Sequence, residues 1–136
     1  MRSILFCLAA LVPSAAWAAP DATGNWLVEG GTAIVAIGPC GPNICGRISR
    51  ILQREPGWNG ADVNNPDPKL RTRPVLGLPI LTGFKRAGTG LSGGRIYDPN
   101  SGKTYRSKVS LNPDGSLKVS GCIAVFCRAQ RWTRAR

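Results

Sequence analysis

The sequence lacks histidine and contains only seven acidic residues, which restricts the chemistry that it can support. Without histidine there can be no Ser-His-Asp triad and no Cys-His pair, and the commonest metal ligand is missing. A glycosidase mechanism needs two carboxylates that converge on one bond, and few are present to form such a pair. We therefore expect a protein that is not an enzyme, with no catalytic residue, no metal site and no cofactor.

Long hydrophobic runs are also missing, and the one apolar stretch lies at the N-terminus. It covers residues 4–12, follows a basic start at Arg2 and precedes an Ala-Trp-Ala sequence. A membrane span takes roughly 20 residues, whereas a basic start, a short apolar centre and small residues before the cut are typical of a secretory signal. We predict a signal peptide over residues 1–18 and a single domain over residues 19–136, periplasmic or secreted and not membrane-spanning.

The charge is strongly of one sign. The chain has 18 Lys and Arg residues and a net charge of +11, and removal of Arg2 with the leader leaves +10. Such a charge attracts anionic surfaces. Basic chains often bind nucleic acid, but an exported protein meets little of it, so we expect no nucleic-acid partner. An anionic envelope component, lipid or cell-wall polymer, fits better; a surface that only keeps the protein soluble is the alternative.

The chain has five cysteines, and an even number, four, remains once the predicted leader is removed. Cys7 lies in the leader, and Cys40, Cys45, Cys122 and Cys127 form two Cys-x4-Cys pairs. An even number in an oxidising compartment indicates two disulfides. Each pair straddles a predicted hairpin end, which brings the two Cα atoms within bridging range and favours the local connectivity among three. A zinc site is the alternative interpretation of the same spacing.

Short runs of alternating apolar and polar residues, separated by Gly, Pro, Asn and Asp, predict about eight strands. They cover residues 24–28, 33–37, 44–52, 79–85, 94–97, 103–111, a run from 117, and 126–134. The tight turns between them indicate an all-β antiparallel meander, which either closes into a barrel or folds into a sandwich.

One segment, residues 53–74, breaks this pattern because it is long, polar and rich in Pro, Asn and Asp. An irregular segment of this length is uncommon in a compact domain. We expect either a functional loop or a hidden helical turn near residues 69–72. Asp62 and Asp67 could belong to a calcium loop, but the spacing lacks the full pattern of such a loop. Asx turns that fix the loop are therefore the expectation.

The last predicted strand places Arg128, Gln130 and Trp132 on one face by alternation. If Trp132 points into the core, Arg128 and Gln130 point inward with it. A buried charge needs a partner, which is either an acidic side chain or the anionic group of a ligand. We predict these three residues as a ligand-binding set. The alternative is that this face is exposed to solvent or that the charge is paired internally.

Several short motifs follow one another along the predicted mature chain. They are Gly24-x-Trp26, Cys45-Gly46-Arg47-Ile48, Asp62-x-x-Asn65-Pro66-Asp67-Pro68, Leu70-x-x-Arg73-Pro74-Val75-Leu76-Gly77, Gly93-Gly94-x-Ile96-Tyr97-Asp98-Pro99, Gly102-Lys103-x-Tyr105 and Gln130-x-Trp132-Thr133-Arg134. Together they resemble the bacterial exported family catalogued as domain of unknown function 2147. That family is similar in turn to the calycins, the superfamily of lipocalin and fatty-acid-binding barrels.

The resemblance implies a small antiparallel up-and-down barrel of about eight strands, with one long irregular loop. It also implies a barrel-closing pair, in which Arg134 from the last strand covers Trp26 on the first. A guanidinium over an indole face gains roughly 0.5 to 2 kcal/mol and seals the end of the barrel.

Two functions remain open. The barrel mouth, bordered by the 53–74 loop, could take up a fatty acid or another small apolar or amphipathic anion. Alternatively, the protein is an envelope-associated interaction protein that uses its basic surface and has no catalytic role.

Overall fold

The computed structural model describes residues 9–12 and 21–136. The strands between Gly24 and Arg134 form a closed antiparallel β-barrel. Its strands are β1 (Gly24–Leu27), β2 (Ala33–Cys40), β3 (Asn43–Ile51), β4 (Pro79–Ala87), β5 (Gly90–Asp98), β6 (Lys103–Leu111), β7 (Leu117–Ile123) and β8 (Phe126–Arg134). Each strand pairs with the next along the chain, and β8 pairs with β1. The predicted all-β, up-and-down barrel is confirmed. The signal peptide predicted for residues 1–18 lies outside the described residues, apart from 9–12.

The largest difference from the predicted strands is in β5, which begins at Gly90 rather than at residue 94. The glycines here hide the strand, because residues without side chains show no alternation. A Cβ at Gly94 would overlap the aromatic ring of Phe84. Glycine is therefore needed where β5 crosses that ring. The helical turn expected near residues 69–72 is a single 3₁₀ turn over Pro68–Leu70.

The two ends of the barrel differ in how they are filled. At the end where β1 begins and β8 ends, large apolar side chains occupy the interior. The most completely buried are Trp26, Trp132, Phe84, Leu81 and Leu117, each less than 2% exposed. We call this the closed end.

The opposite end carries four connections, including the longest of the barrel, and we call it the open end. They are the turn over residues 28–32, the segment over residues 52–78 that we call the long loop, the turn over residues 99–102, and the β7–β8 turn. No helix in the described ranges has the length and apolar character that a membrane span requires.

One disulfide lies at each end of the barrel. Cys40–Cys45 joins β2 to β3 at the closed end, with the Cα atoms 5.6 Å apart. Cys122–Cys127 joins β7 to β8 at the open end, with the Cα atoms 4.1 Å apart. This is the local connectivity that the hairpin spacing favours. The zinc alternative is set aside because the two cysteines of each pair form a disulfide with each other. Two such bonds are compatible with an oxidising periplasmic or extracellular compartment.

Candidate functional site

A cavity of about 1060 Å³ occupies the open half of the barrel and is reached from the open end. Side chains that point inward by strand alternation form its wall, and most of them are aliphatic or aromatic. The wall includes Val35, Ile48, Ile80, Ile96, Val119 and Trp132. Trp132 is also part of the packed core, so its indole lies between the filled end of the barrel and the cavity.

Arg128 and Gln130 from β8 add polar groups to this apolar wall. They lie on the same face of β8 as Trp132, and the Trp132 indole Nε1 donates a hydrogen bond of 2.9 Å to Gln130 Oε1. Within the described chain, the ion pairs use other arginines, and no side-chain hydrogen bond engages the Arg128 guanidinium. All three predicted ligand-binding residues therefore line the cavity, but only Trp132 is buried. Arg128 and Gln130 are exposed, so the buried charge expected from the alternation is not present, and the solvent-exposed alternative holds for these two residues.

Carboxylates also reach the cavity, but they belong to the rim, and two of the three are engaged by protein groups. Asp98 accepts hydrogen bonds of 2.9 Å from the Asn100 backbone N–H and from the Ser101 hydroxyl. Glu29 Oε1 accepts one of 3.4 Å from the Arg131 backbone N–H. The third carboxylate is Glu55 in the long loop.

Besides Arg128, one other arginine of the described chain lines the cavity, namely Arg54 in the long loop. Its guanidinium carbon lies 5.5 Å from the centre of the Trp58 ring. Arg54 is therefore partly occupied by a cation–π contact. Arg128 is the cation that the barrel strands themselves contribute to the cavity wall.

A buried polar network anchors the long loop to β5. Asp62 is 1% exposed, and its carboxylate accepts hydrogen bonds from the Tyr97 hydroxyl at 2.6 Å, Asn65 Nδ2 at 3.0 Å and Arg73 Nε at 2.9 Å. Tyr97 lines the cavity, so this network connects the loop directly to the wall. Three donors on one buried carboxylate make a rigid attachment.

The network shifts the pKa values of both acidic partners. Burial raises the pKa of the Asp62 carboxyl, but the hydrogen bonds from Tyr97, Asn65 and Arg73 outweigh it and hold that pKa below its ordinary value. Burial, together with the hydrogen bond to the Asp62 carboxylate, raises the pKa of Tyr97 to about 12. Asp62 is therefore a carboxylate, and Tyr97 a neutral donor, throughout the physiological pH range.

A second attachment holds the loop against the turn after β5. Asn64 Nδ2 donates hydrogen bonds to the carbonyl oxygens of Pro99, at 3.2 Å, and Asn100, at 3.0 Å. A Cβ at Gly102, whose φ is 71°, would overlap the Asn64 carbonyl oxygen. Glycine at position 102 thus serves both the turn and the close approach of the loop. These contacts fix the long loop as part of the cavity rim.

Of the two aspartates for which Asx turns were expected, Asp67 forms one, whereas Asp62 accepts only side-chain hydrogen bonds in the buried network. Asn65 Oδ1 accepts from the Asp67 N–H at 2.9 Å, and Asp67 Oδ1 accepts from the Lys69 N–H at 3.0 Å. No group of three or more His, Cys, Asp or Glu side chains among residues 9–12 and 21–136 is arranged to hold a metal ion.

Trp26 and Arg134 lie at the closed end. Trp26 is fully buried, and its Nε1 donates a hydrogen bond of 2.9 Å to the Ala22 carbonyl. The Arg134 guanidinium carbon lies 4.1 Å from the centre of the Trp26 ring. The same guanidinium donates to the carbonyl oxygens of Thr23 and Asp21, at 2.7 Å each. The predicted pair is therefore adjacent and covers the end of the barrel opposite the cavity.

Sequence reasoning missed the parts of the site that are distant along the chain. Tyr97 and Asp62 are separated by 35 residues, and nothing local to either residue indicates their hydrogen bond. Trp58 was not singled out, although an aromatic residue in a polar loop was a signal that it packs against something. The motifs around Asp62 and Tyr97 marked the right residues without indicating that they meet.

Comparison with known proteins agrees with this architecture. Residues 24–134 match the model of a family described as uncharacterized protein conserved in bacteria (DUF2147). Among solved structures, protein HP1028 from Helicobacter pylori, described as belonging to the lipocalin family, matches with a TM-score of 0.74 and 21% sequence identity. That match covers 87% of this chain and 85% of the other. A search of curated proteins finds no significant match. The structural likeness establishes a lipocalin-like barrel fold.

Proposed function

The chain belongs to the bacterial family designated DUF2147, and we propose that this member is an exported, non-catalytic binding protein for a small amphipathic anion such as a fatty acid. The observation that carries the proposal is a mostly apolar cavity whose wall includes the exposed Arg128, which has no ion-pair partner in the described chain. The cavity volume of about 1060 Å³ is slightly above the usual range for small-molecule sites, roughly 300 to 1,000 Å³.

The apolar wall would supply most of the affinity. Transfer of each methylene group from water contributes about 0.8 kcal/mol, before the costs of immobilising the ligand. A micromolar Kd corresponds to about −8 kcal/mol. For laurate, with about 14 heavy atoms, this is roughly −0.6 kcal/mol per atom, inside the range found for small ligands. We therefore expect this cavity to bind a twelve-carbon fatty acid with a micromolar Kd.

Arg128 supports an anionic rather than a neutral head group. Its planar guanidinium can donate two parallel hydrogen bonds to a carboxylate or phosphate. The rim carboxylates Asp98 and Glu29 are already hydrogen-bonded to protein groups, so they compete less for this guanidinium. The net positive charge of the chain would speed the capture of anions, and added salt would reduce that effect.

Export and the absence of catalysis belong to the same proposal. The leader-like N-terminus predicts secretion, and two disulfides are compatible with it. The chain contains no histidine, which supports binding rather than acid–base catalysis.

Isothermal titration of laurate into the wild type and Arg128→Met tests the proposal. Hydrogen bonds to charged groups contribute about 1.5 to 3 kcal/mol, so we expect Arg128→Met to weaken binding roughly tenfold to a hundredfold. The matched control is Arg131→Met, which removes the same charge from β8 at a position that is absent from the cavity lining, where Arg131 pairs with Asp114. This control should bind laurate like the wild type.

A second ligand separates head-group chemistry from chain burial. Dodecanol has the same chain length as laurate but no charge. Its affinity should therefore be nearly the same for the wild type and for Arg128→Met. If the wild type binds neither laurate nor lysophospholipids below millimolar concentration, or if Arg128→Met binds laurate equally well, the proposal fails. The envelope-associated role through the basic surface would then be the leading candidate.

A further inference from the structure

The β7–β8 turn exposes a short apolar segment at the open end of the barrel, which we call the apolar tip (residues 123–126). Its three large side chains are exposed by 64%, 87% and 79%, in the order Ile123, Val125 and Phe126. Soluble proteins rarely expose contiguous apolar side chains without a partner to cover them. The tip is also held in position, because the Cys122–Cys127 disulfide closes its hairpin and Arg106 donates a hydrogen bond to the Ala124 carbonyl.

Three cations lie beside this tip. Arg95, Arg106 and Lys108 line one shallow groove together with Ala124 and Val125. All three are exposed, and the ion pairs of the described residues involve other cations. Arg95 and Arg106 are direct cross-strand partners in the β5–β6 pair. Like charges directly opposite each other destabilise a sheet, so an anion in this groove would relieve their repulsion.

We propose that the apolar tip and its cationic groove dock the open end of the barrel onto an anionic lipid bilayer. The apolar side chains would enter the boundary between head groups and acyl chains, while the cations meet lipid phosphates. This combination binds peripheral proteins to anionic membranes. Apolar residues and uncompensated cations lie side by side here, which matches the layered chemistry of a bilayer surface.

Docking in this orientation also serves the cavity. Ile123 and Phe126 belong both to the apolar tip and to the cavity lining, so the mouth would face the membrane. An amphiphile could then pass between bilayer and barrel without crossing open water. This use of the docking rests on the proposed function, whereas the docking itself does not.

Vesicle sedimentation of the exported, mature protein tests the docking. We expect the wild type to bind vesicles containing phosphatidylglycerol at least about tenfold more strongly than vesicles of phosphatidylcholine alone. Val125→Asp places a carboxylate at the most exposed position of the tip and should lower this binding roughly tenfold or more. Leu76→Asp is the matched control, because it makes the same charge change at another exposed apolar residue, 51% exposed. Leu76 lies alongside β3, where the next residue, Gly77, donates its N–H to the Ile48 carbonyl, and it is not part of the apolar tip. This control should bind like the wild type.

Two further variants examine the two halves of the surface separately. Val125→Trp should increase binding, since tryptophan favours the membrane interface, and lipids with brominated acyl chains should quench its fluorescence. The double variant Arg95→Gln with Lys108→Gln should lose most of the preference for phosphatidylglycerol.

The docking is refuted if the wild type does not sediment with anionic vesicles, or if Val125→Asp binds them as the wild type does. Laurate titration without vesicles distinguishes this failure from failure of the proposed function. Val125 is absent from the cavity lining, so Val125→Asp should keep the wild-type affinity for laurate. If the protein binds vesicles but does not bind laurate, the proposed ligand-binding function is wrong and the membrane docking is supported.

Discussion

Replacement of Asp62 by asparagine should destabilise the protein in a pH-dependent way. The carboxylate is buried and accepts hydrogen bonds from Tyr97, Asn65 and Arg73. Asparagine keeps one acceptor oxygen but replaces the other carboxylate oxygen with an NH₂ group, which cannot accept a hydrogen bond. That NH₂ group would face a donor from Tyr97, Asn65 or Arg73. One or more buried donors would then lose their acceptor, at a cost of about 1 to 3 kcal/mol each.

The size of the effect follows from these contacts with two corrections. The Arg73 side chain is 34% exposed, so solvent screens its share of the interaction. The hydrogen bonds also share one acceptor group, so their contributions do not simply add. We expect Asp62→Asn to lower the free energy of unfolding by about 3 kcal/mol at neutral pH, the lower end of the range for a broken buried pair. With an m-value of about 1.5 to 2 kcal/mol/M, the urea midpoint would fall by roughly 1.5 to 2 M.

The dependence on pH gives a second readout. The hydrogen bonds lower the pKa of Asp62 in the folded state, while the unfolded value is about 3.9. Its contribution to stability is therefore present above about pH 4 and is lost as the pH falls through the folded-state value. The stability difference between the wild type and Asp62→Asn should shrink on acidification below about pH 4.

The matched control for Asp62→Asn is Asp67→Asn, the same chemical change in the same loop. Asp67 is exposed and accepts a hydrogen bond from the Lys69 N–H, which an asparagine oxygen can also accept. It should change the free energy of unfolding by less than about 0.5 kcal/mol. A cost below about 1 kcal/mol for Asp62→Asn, or a gap unchanged between neutral and acidic pH, would contradict the anchoring role.

Two further predictions concern the closed end and the N-terminus. Trp26 is fully buried, so Trp26→Ala should lower the free energy of unfolding in urea by ~3 to 5 kcal/mol, and a loss below about 1 kcal/mol would mean that it does not plug the barrel. N-terminal sequencing of the exported protein should begin at Ala19, since residues 1–18 have the pattern of a cleaved leader; a start at Met1 in an envelope fraction would contradict this.

Alternation made much of the barrel predictable. The bounds of β6 were correct because burial alternates along it: Ser107 and Val109 are buried, while Arg106, Lys108 and Ser110 are exposed. The bounds of β8 were also correct, although its residues 126–131 are all exposed. The same alternation placed Arg128, Gln130 and Trp132 on one face. An alternation with a period of two is visible in neighbouring residues, so it can be recognised without knowledge of the fold.

What could not be predicted depends on contacts between distant segments. The start of β5 was missed because glycines carry no pattern, and only the position of the Phe84 ring explains Gly94. The partners of Asp62 come from three other positions in the loop and β5. The exposed tip was hidden for another reason, since an apolar run looks like a buried strand until the turn is placed within it.

The cavity is not an unavoidable consequence of the fold, because eight-stranded barrels can be filled by their own side chains. At Gly94, a Cβ would overlap Phe84, so packing requires glycine there. At Gly121, which lines the cavity, a Cβ would come no closer than 3.5 Å to Ile96 or Tyr105. A methyl group would therefore fit at Gly121 in ordinary van der Waals contact, and it would gain packing contacts there. Packing therefore does not require glycine at position 121, and its small size leaves space beside Arg128, its partner in the β7–β8 pair.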